Sequence, residues 1–113
     1  MKSILLTGSS GYIGPSLIVA LKRLNYSINL ISREDRGIYP TKICDFSKDD
    51  IPSDSLKSID TVIHLAGYAH DLSNNQKNKF LYEKINVEST INLAKLAVTN
   101  EVNHFVFISS VKA

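Results

Sequence analysis

Between Thr7 and Gly14 the chain reads Thr-Gly-Ser-Ser-Gly-Tyr-Ile-Gly, with glycines at 8, 11 and 14. An apolar run precedes this segment and an amphipathic one follows it. In that setting the first glycine permits a tight turn, the second lets backbone approach a pyrophosphate, and the third lets a helix pack closely on a strand. A helix starting there offers unpaired N–H groups and a partial positive charge to phosphates. Gly8, Ser10, Gly11, Tyr12, Ile13 and Gly14 are therefore candidate ligands of a dinucleotide. A plain strand-to-helix turn would need one or two glycines at most.

The elements that must hold this turn follow from the apolar pattern. Ile4 to Thr7 reads as a strand buried on both faces. From Tyr12 to about Leu24, residues Ile13, Leu17, Ala20, Leu21 and Leu24 recur at helical spacing, with Pro15 in the first turn and Asn25 at a left-handed end. Ile28 to Ser32 is a second strand and Lys42 to Cys44 a third, followed by a short helix around Ser53 to Lys57. Thr61 to Leu65 is a fourth strand. Phe80, Val87, Ile91, Ala94 and Val98 then mark a long helix ending near Asn100, and His104 to Ser109 a fifth strand. Strands alternating with helices imply parallel pairing through right-handed crossovers. The expected fold is thus α/β, a Rossmann-type doubly wound parallel sheet with strand order 3-2-1-4-5 in one domain over residues 1–113.

Three further places along this scaffold could do chemistry. Such a sheet usually ends its second strand on an acidic residue that holds the ribose 2′-hydroxyl of NAD. Here Ser32 takes that place, eighteen residues beyond Gly14, and Arg33 follows it. A hydroxyl beside a guanidinium can bind a 2′-phosphate, which slightly favours NADP over NAD. Glu34 or Asp35 remains a possible displaced ribose ligand. Leu65-Ala66-Gly67 closes the fourth strand with small residues, as a backbone passing close to a cofactor requires, although a generic turn would also use them. His64 reads as a core histidine within its strand, and His70 as a loop residue. Neither has the company of Cys, His or carboxylates that a metal site needs.

The glycine turn, Asp45-Phe46, His64-Leu65-Ala66-Gly67, Asn86-Val87 and Phe107-Ile108-Ser109-Ser110 occur in the order seen in extended short-chain dehydrogenases/reductases. Within that superfamily the chain most resembles the NAD-dependent epimerase/dehydratase group that acts on nucleotide sugars, from Met1 to Ser110. The resemblance implies that Asp45 accepts from the adenine amino group and that Phe46 contributes backbone. It implies that Asn86 helps organise the cofactor side and that Ser110 hydrogen-bonds the substrate hydroxyl or carbonyl. Read on their own, Asp45 could cap a turn, Asn86 could be an exposed helix residue and Ser110 a strand-end hydroxyl. The family's acid/base Tyr-x-x-x-Lys pair should follow the serine, and only Val111, Lys112 and Ala113 do so. The expected break therefore falls after strand five, leaving a cofactor-binding portion without its proton-transfer partner.

Composition narrows the alternatives. The 113 residues are 43% apolar and 21% charged, within the range of a folded domain. Thirteen Lys plus Arg against eleven Asp plus Glu give +2 with no basic run, which argues against nucleic acid. Cys44 is the single cysteine, which favours a reducing, cytoplasmic setting and reads as a small buried hydrophobe. No apolar stretch is long enough for a signal peptide or a membrane span. The expected partners are a dinucleotide, a nucleotide-sugar substrate in the complete enzyme, and a second copy of the chain, because the resemblance places the long helix in a dimer interface. Three functions stay open: the cofactor half of an epimerase, dehydratase or 4-keto reductase, a non-catalytic NAD(P)-binding module, and a structural domain with a vestigial site.

Overall fold

The computed structural model describes residues 2–9, 13–35, 37–46, 48–65 and 87–108. Among them, β1 (Ser3–Thr7), β2 (Ser27–Ser32), β3 (Thr41–Ile43), β4 (Thr61–His64) and β5 (His104–Phe107) form one parallel sheet in the order β3-β2-β1-β4-β5. This is the doubly wound order expected. The register brings Thr7 opposite Ile31 on one side and His64 on the other, and His64 opposite Phe107. The carboxyl ends of β1, β2, β4 and β5 therefore share a final rung.

Side chains alternate between the two faces of the sheet, as strand geometry dictates. Ile4 and Leu6 of β1 pack with Ile28, Leu30 and Ile63 under helix α1 (Gly14–Arg23), which contributes Leu21. Leu5 points the other way, with Ile31, Cys44, Phe46, Leu56, Ile59 and Val62, and is covered by Leu93 and Ala97 of helix α2 (Ser89–Thr99). Two cores thus sandwich one sheet.

Both helices end as their backbones require. Pro15 lies in the first turn of α1 and leaves no intrahelical acceptor without a donor. Asn25 takes φ 66° after the helix. Its N–H bonds the Lys22 carbonyl and that of Tyr26 the Leu21 carbonyl, which satisfies two terminal acceptors. Helix α2 ends at the expected Asn100, and the same left-handed exit is made by the next residue, Glu101, with φ 56°.

Three expectations need correcting. Residues 53–58 form successive turns rather than a short helix. The N–H groups of Ser55, Lys57 and Ile59 each reach three residues back, and Ser58 has φ 62°. Pro52 and the Ser-Asp-Ser run favour such local turns over helix propagation. In α1 and its two caps, Ile13, Ala20 and Leu24 are exposed, and the inward stripe is Gly14, Leu17, Ile18 and Leu21. Along α2, Ile91 and Val98 face outward, as does Val87 just ahead of it, and Ser89, Leu93, Leu96 and Ala97 face the sheet. Each helix carries a second apolar stripe, and spacing alone does not say which one meets the sheet. Residues 80–86 of the expected long helix lie outside the described residues.

Candidate functional site

At the carboxyl edge of β1 the chain turns at Gly8, whose φ of 75° is the left-handed conformation glycine adopts without strain. The turn then closes on itself. A β-carbon at Gly14 would lie 2.7 Å from Ser9 Cα and closer still to its carbonyl oxygen, so the start of α1 rests directly on the Ser9 backbone. The third glycine is thus demanded by the turn's own backbone, rather than by the strand as its spacing suggested.

Ser9 is buried, and its Oγ has no hydrogen-bond partner. An orphaned buried hydroxyl costs about 1–3 kcal/mol unless something satisfies it. Ile13 is exposed and sits at the N-cap of α1, where no side chain caps the helix. Its carbonyl accepts the Leu17 N–H at 3.1 Å, the first bond of the helix ladder. A helix start without a side-chain cap, beside a buried hydroxyl and two positions, Gly8 and Gly14, that demand glycine, fits an anionic group such as a pyrophosphate.

The neighbouring strand ends meet on the same edge. Ser32, the last residue of β2, is half-buried, and its Oγ accepts the Glu34 N–H at 3.3 Å. Arg33 beside it is exposed. Asp35 is engaged in its own turn, its carboxylate accepting the Gly37 N–H at 2.8 Å. Beyond β3, the Asp45 N–H donates to the Asp49 carboxylate at 2.9 Å, and the Asp45 carbonyl accepts from the Lys48 and Asp49 N–H groups. The Asp49 carboxylate thus caps the backbone of this turn at Asp45. Phe46 is buried, with its ring edge-on to His64 at 6.0 Å and its carbonyl accepting the Ser89 hydroxyl. Leu65 is half-buried and its N–H reaches both the carbonyl and the hydroxyl of Thr7 at 3.2 Å.

The structure therefore brings Gly8, Ile13, Gly14, Ser32, Arg33, Asp45, Phe46 and Leu65 to one end of the sheet. Ser10, Gly11, Tyr12, Ala66, Gly67, Asn86 and Ser110 lie outside the described residues, as does His70.

His64 is a core residue, as its place in the strand suggested, but it is far from inert in its contacts. The ring is fully buried, with Nδ1 2.6 Å from Thr7 Oγ1 and Nε2 2.9 Å from Thr90 Oγ1. Phe105 and Phe107 lie 6.4 and 5.4 Å from it, centroid to centroid. Burial pushes its pKa down to about 4, so the imidazole is neutral near pH 7. Cys44 is equally enclosed. Burial, reinforced by Asp49, Asp45 and Asp50, raises its thiol to about 11.

Sequence reasoning overlooked four hydroxyls: Thr7, Ser9, Ser89 and Thr90. The available signal was a hydroxyl placed where the pattern calls for an apolar side chain, at the end of a buried strand or on the sheet-facing side of a helix. Among the described residues, no group of three His, Cys, Asp or Glu side chains is placed to hold a metal ion. No described helix is long and apolar enough to cross a membrane.

Residues 4–113 match the NAD dependent epimerase/dehydratase family. The chain belongs to that family. It is 34% identical over 119 residues to the UDP-glucose 4-epimerase of Vibrio cholerae, covering 98% of this chain and 35% of that protein. A short-chain dehydrogenase/reductase superfamily protein from Agrobacterium tumefaciens, solved with bound NAD, superposes with a TM-score of 0.80 at 26% identity, over 96% of this chain and 32% of that one. MoeE5 in complex with UDP-glucose and NAD gives 0.79 at 26% identity, over 96% and 36%. The chain thus spans about a third of the length of these family relatives.

Proposed function

We propose that these residues form the NAD(P)-binding portion of a nucleotide-sugar epimerase, dehydratase or 4-keto reductase. The observation that carries this reading is the glycine turn: Gly8 at φ 75°, Gly14 set against Ser9, and a buried Ser9 hydroxyl without a partner beside an uncapped helix start. Relatives that hold NAD, in one case with UDP-glucose, support both the cofactor class and the substrate class.

In this reading Gly8, Ser10, Gly11, Tyr12, Ile13 and Gly14 cradle the pyrophosphate. Ser32 and Arg33 receive the adenosine ribose, and Asp45 with Phe46 the adenine. Leu65, Ala66 and Gly67 let the backbone pass close to the cofactor, Asn86 helps organise the cofactor side of the site, and Ser110 hydrogen-bonds the substrate hydroxyl or carbonyl. Bound there, the nicotinamide supplies hydride transfer. The chain's own contribution is to bind and orient it through backbone N–H groups and the positive end of α1.

Ser32 in place of a carboxylate leaves room for a 2′-phosphate, and exposed Arg33 can pair with it, so NADP should bind the more tightly. No Tyr-x-x-x-Lys follows Ser110 in these 113 residues, so on their own they should hold cofactor without turning over a nucleotide sugar. Calorimetric titration with both dinucleotides tests the reading. Binding of either supports the site, with NADP tighter than NAD expected. Equal or reversed affinities would remove the argument from Ser32 and Arg33, and binding of neither would leave a structural domain with a vestigial site.

A further inference from the structure

The final rung of the sheet carries a polar bridge through an otherwise apolar core. Thr7 and His64 face each other across β1 and β4, and both are fully buried. On its far side the same ring meets Thr90, in the first turn of α2. Phe46, Phe105 and Phe107 surround it. Two features make the bridge more than packing. Thr7 immediately precedes Gly8, so its backbone sets where the glycine turn begins. Thr7 Oγ1 also accepts the Leu65 N–H, so one hydroxyl joins the exits of β1 and β4, the two strands that flank the cofactor crevice.

We propose that His64 is a positioning residue for the cofactor site: held between Thr7 and Thr90, its ring fixes the exits of β1 and β4 against the first turn of α2. The inference rests on the reading of the glycine turn as a dinucleotide site and adds to it a residue that does not touch the dinucleotide. The donors can run one way along the bridge. Leu65 N–H donates to Thr7 Oγ1, the Thr7 hydroxyl to Nδ1, and Nε2–H to Thr90 Oγ1; this direction is assigned from the donors available. A neutral ring suits it, because burial disfavours the imidazolium. The first turn of α2 is also tied down by Ser89, whose hydroxyl donates to the Phe46 carbonyl beyond β3. The start of α2 is thereby linked to the ends of β1, β3 and β4 together. A shift at Thr90 should be felt at the glycine turn because these groups are packed and hydrogen-bonded, with little slack between them.

The test compares dinucleotide affinity and thermal midpoint in wild type and four substitutions. Thr90→Val keeps the shape of the side chain and removes the hydroxyl. His64→Asn retains an acceptor towards Thr7 and cuts the reach to Thr90. Each should weaken binding about five- to tenfold. The double variant should be little weaker than either alone, since both break one bridge. Thr90→Ser should restore affinity to within about twofold of wild type. Leu56→Ala, a cavity in the same core without a hydroxyl, should lower the thermal midpoint and leave affinity unchanged where the protein is folded. Wild-type affinity in Thr90→Val, strict additivity of the two bridge variants, or an equal loss of affinity in Leu56→Ala would each overturn the proposal. Absence of binding by the wild type would instead overturn the dinucleotide reading itself, and the proposal with it.

Discussion

The first residue of α1, Gly14, rests on the backbone of Ser9 so closely that there is no room for a single methyl group. The neighbour is a carbonyl and its Cα, not the movable end of a side chain. Either the turn opens or α1 lifts from the sheet. Overpacking of this kind costs about 1–3 kcal/mol and occasionally more.

Gly14→Ala should therefore lower unfolding free energy by about 3 kcal/mol and abolish measurable dinucleotide binding. Gly37 is the internal comparison. It has φ 73° but nothing within 4 Å of an added β-carbon, so Gly37→Ala meets only left-handed backbone strain, about 1 kcal/mol. Denaturant melts of both variants measure the difference. Equal costs, or full cofactor affinity in Gly14→Ala, would contradict the account of the turn.

Acid should weaken the fold over a window set by His64. Its pKa lies near an ordinary 6.5 in the unfolded chain and at about 4 when folded, because burial opposes the charge. Between those values the unfolded state binds the extra proton, so stability is intact above about 6.5 and is lost as pH falls towards 4. At about 1.4 kcal/mol per pH unit the whole interval corresponds to about 3 kcal/mol. That is a large fraction of an ordinary domain's stability, about 5–15 kcal/mol. Asp54, held low by Lys42, and Asp60, held low by Asn103 and Thr61, lose their contributions only below the usual carboxylate pKa, outside this window. Urea melts from pH 7 to 4 should show the decline in wild type and a flatter profile in His64→Asn. Parallel profiles would assign the acid sensitivity elsewhere.

The sheet order was legible because strands and helices alternate along the chain, and that alternation leaves few ways to wind a parallel sheet. Asn25 was legible too, since a left-handed residue after Leu24 is a local demand. The helix faces were not. Val87, Ile91, Ala94 and Val98 make as regular a stripe as Leu93, Leu96 and Ala97, and only the neighbouring strands decide between them. The site divides in the same way. Glycines at 8 and 14 announce themselves through backbone need, whereas the link from Thr7 through His64 to Thr90 joins residues 57 and 26 positions apart and leaves no local signature.

Cys44 should behave as a core atom rather than as a reactive thiol. At 3% exposure and with its pKa raised to about 11, only about one molecule in a thousand carries a thiolate at pH 8. Labelling with an aromatic disulfide should therefore be slow in buffer and accelerate through the denaturant transition, tracking unfolding. Complete reaction within seconds in buffer would mean that the loop carrying Asp45, Asp49 and Asp50 opens freely.

The outward stripe of α2 bears on self-association. Val87, Ile91 and Val98 are 47%, 49% and 80% exposed, and with Ala94 they repeat at four, three and four residues, the spacing of a helix–helix seam. On the adjoining edge of the sheet, Val106, Phe107 and Ile108 are exposed as well. A charge on the seam should oppose burial of this stripe against a second copy while leaving the inward Leu93 and Ala97 in place. Ile91→Lys is thus expected to shift the protein towards monomer in concentration-dependent light scattering, at an unchanged thermal midpoint for the monomer. If wild type is already monomeric at high concentration, or if Ile91→Lys associates as wild type does, the stripe is not the contact between copies.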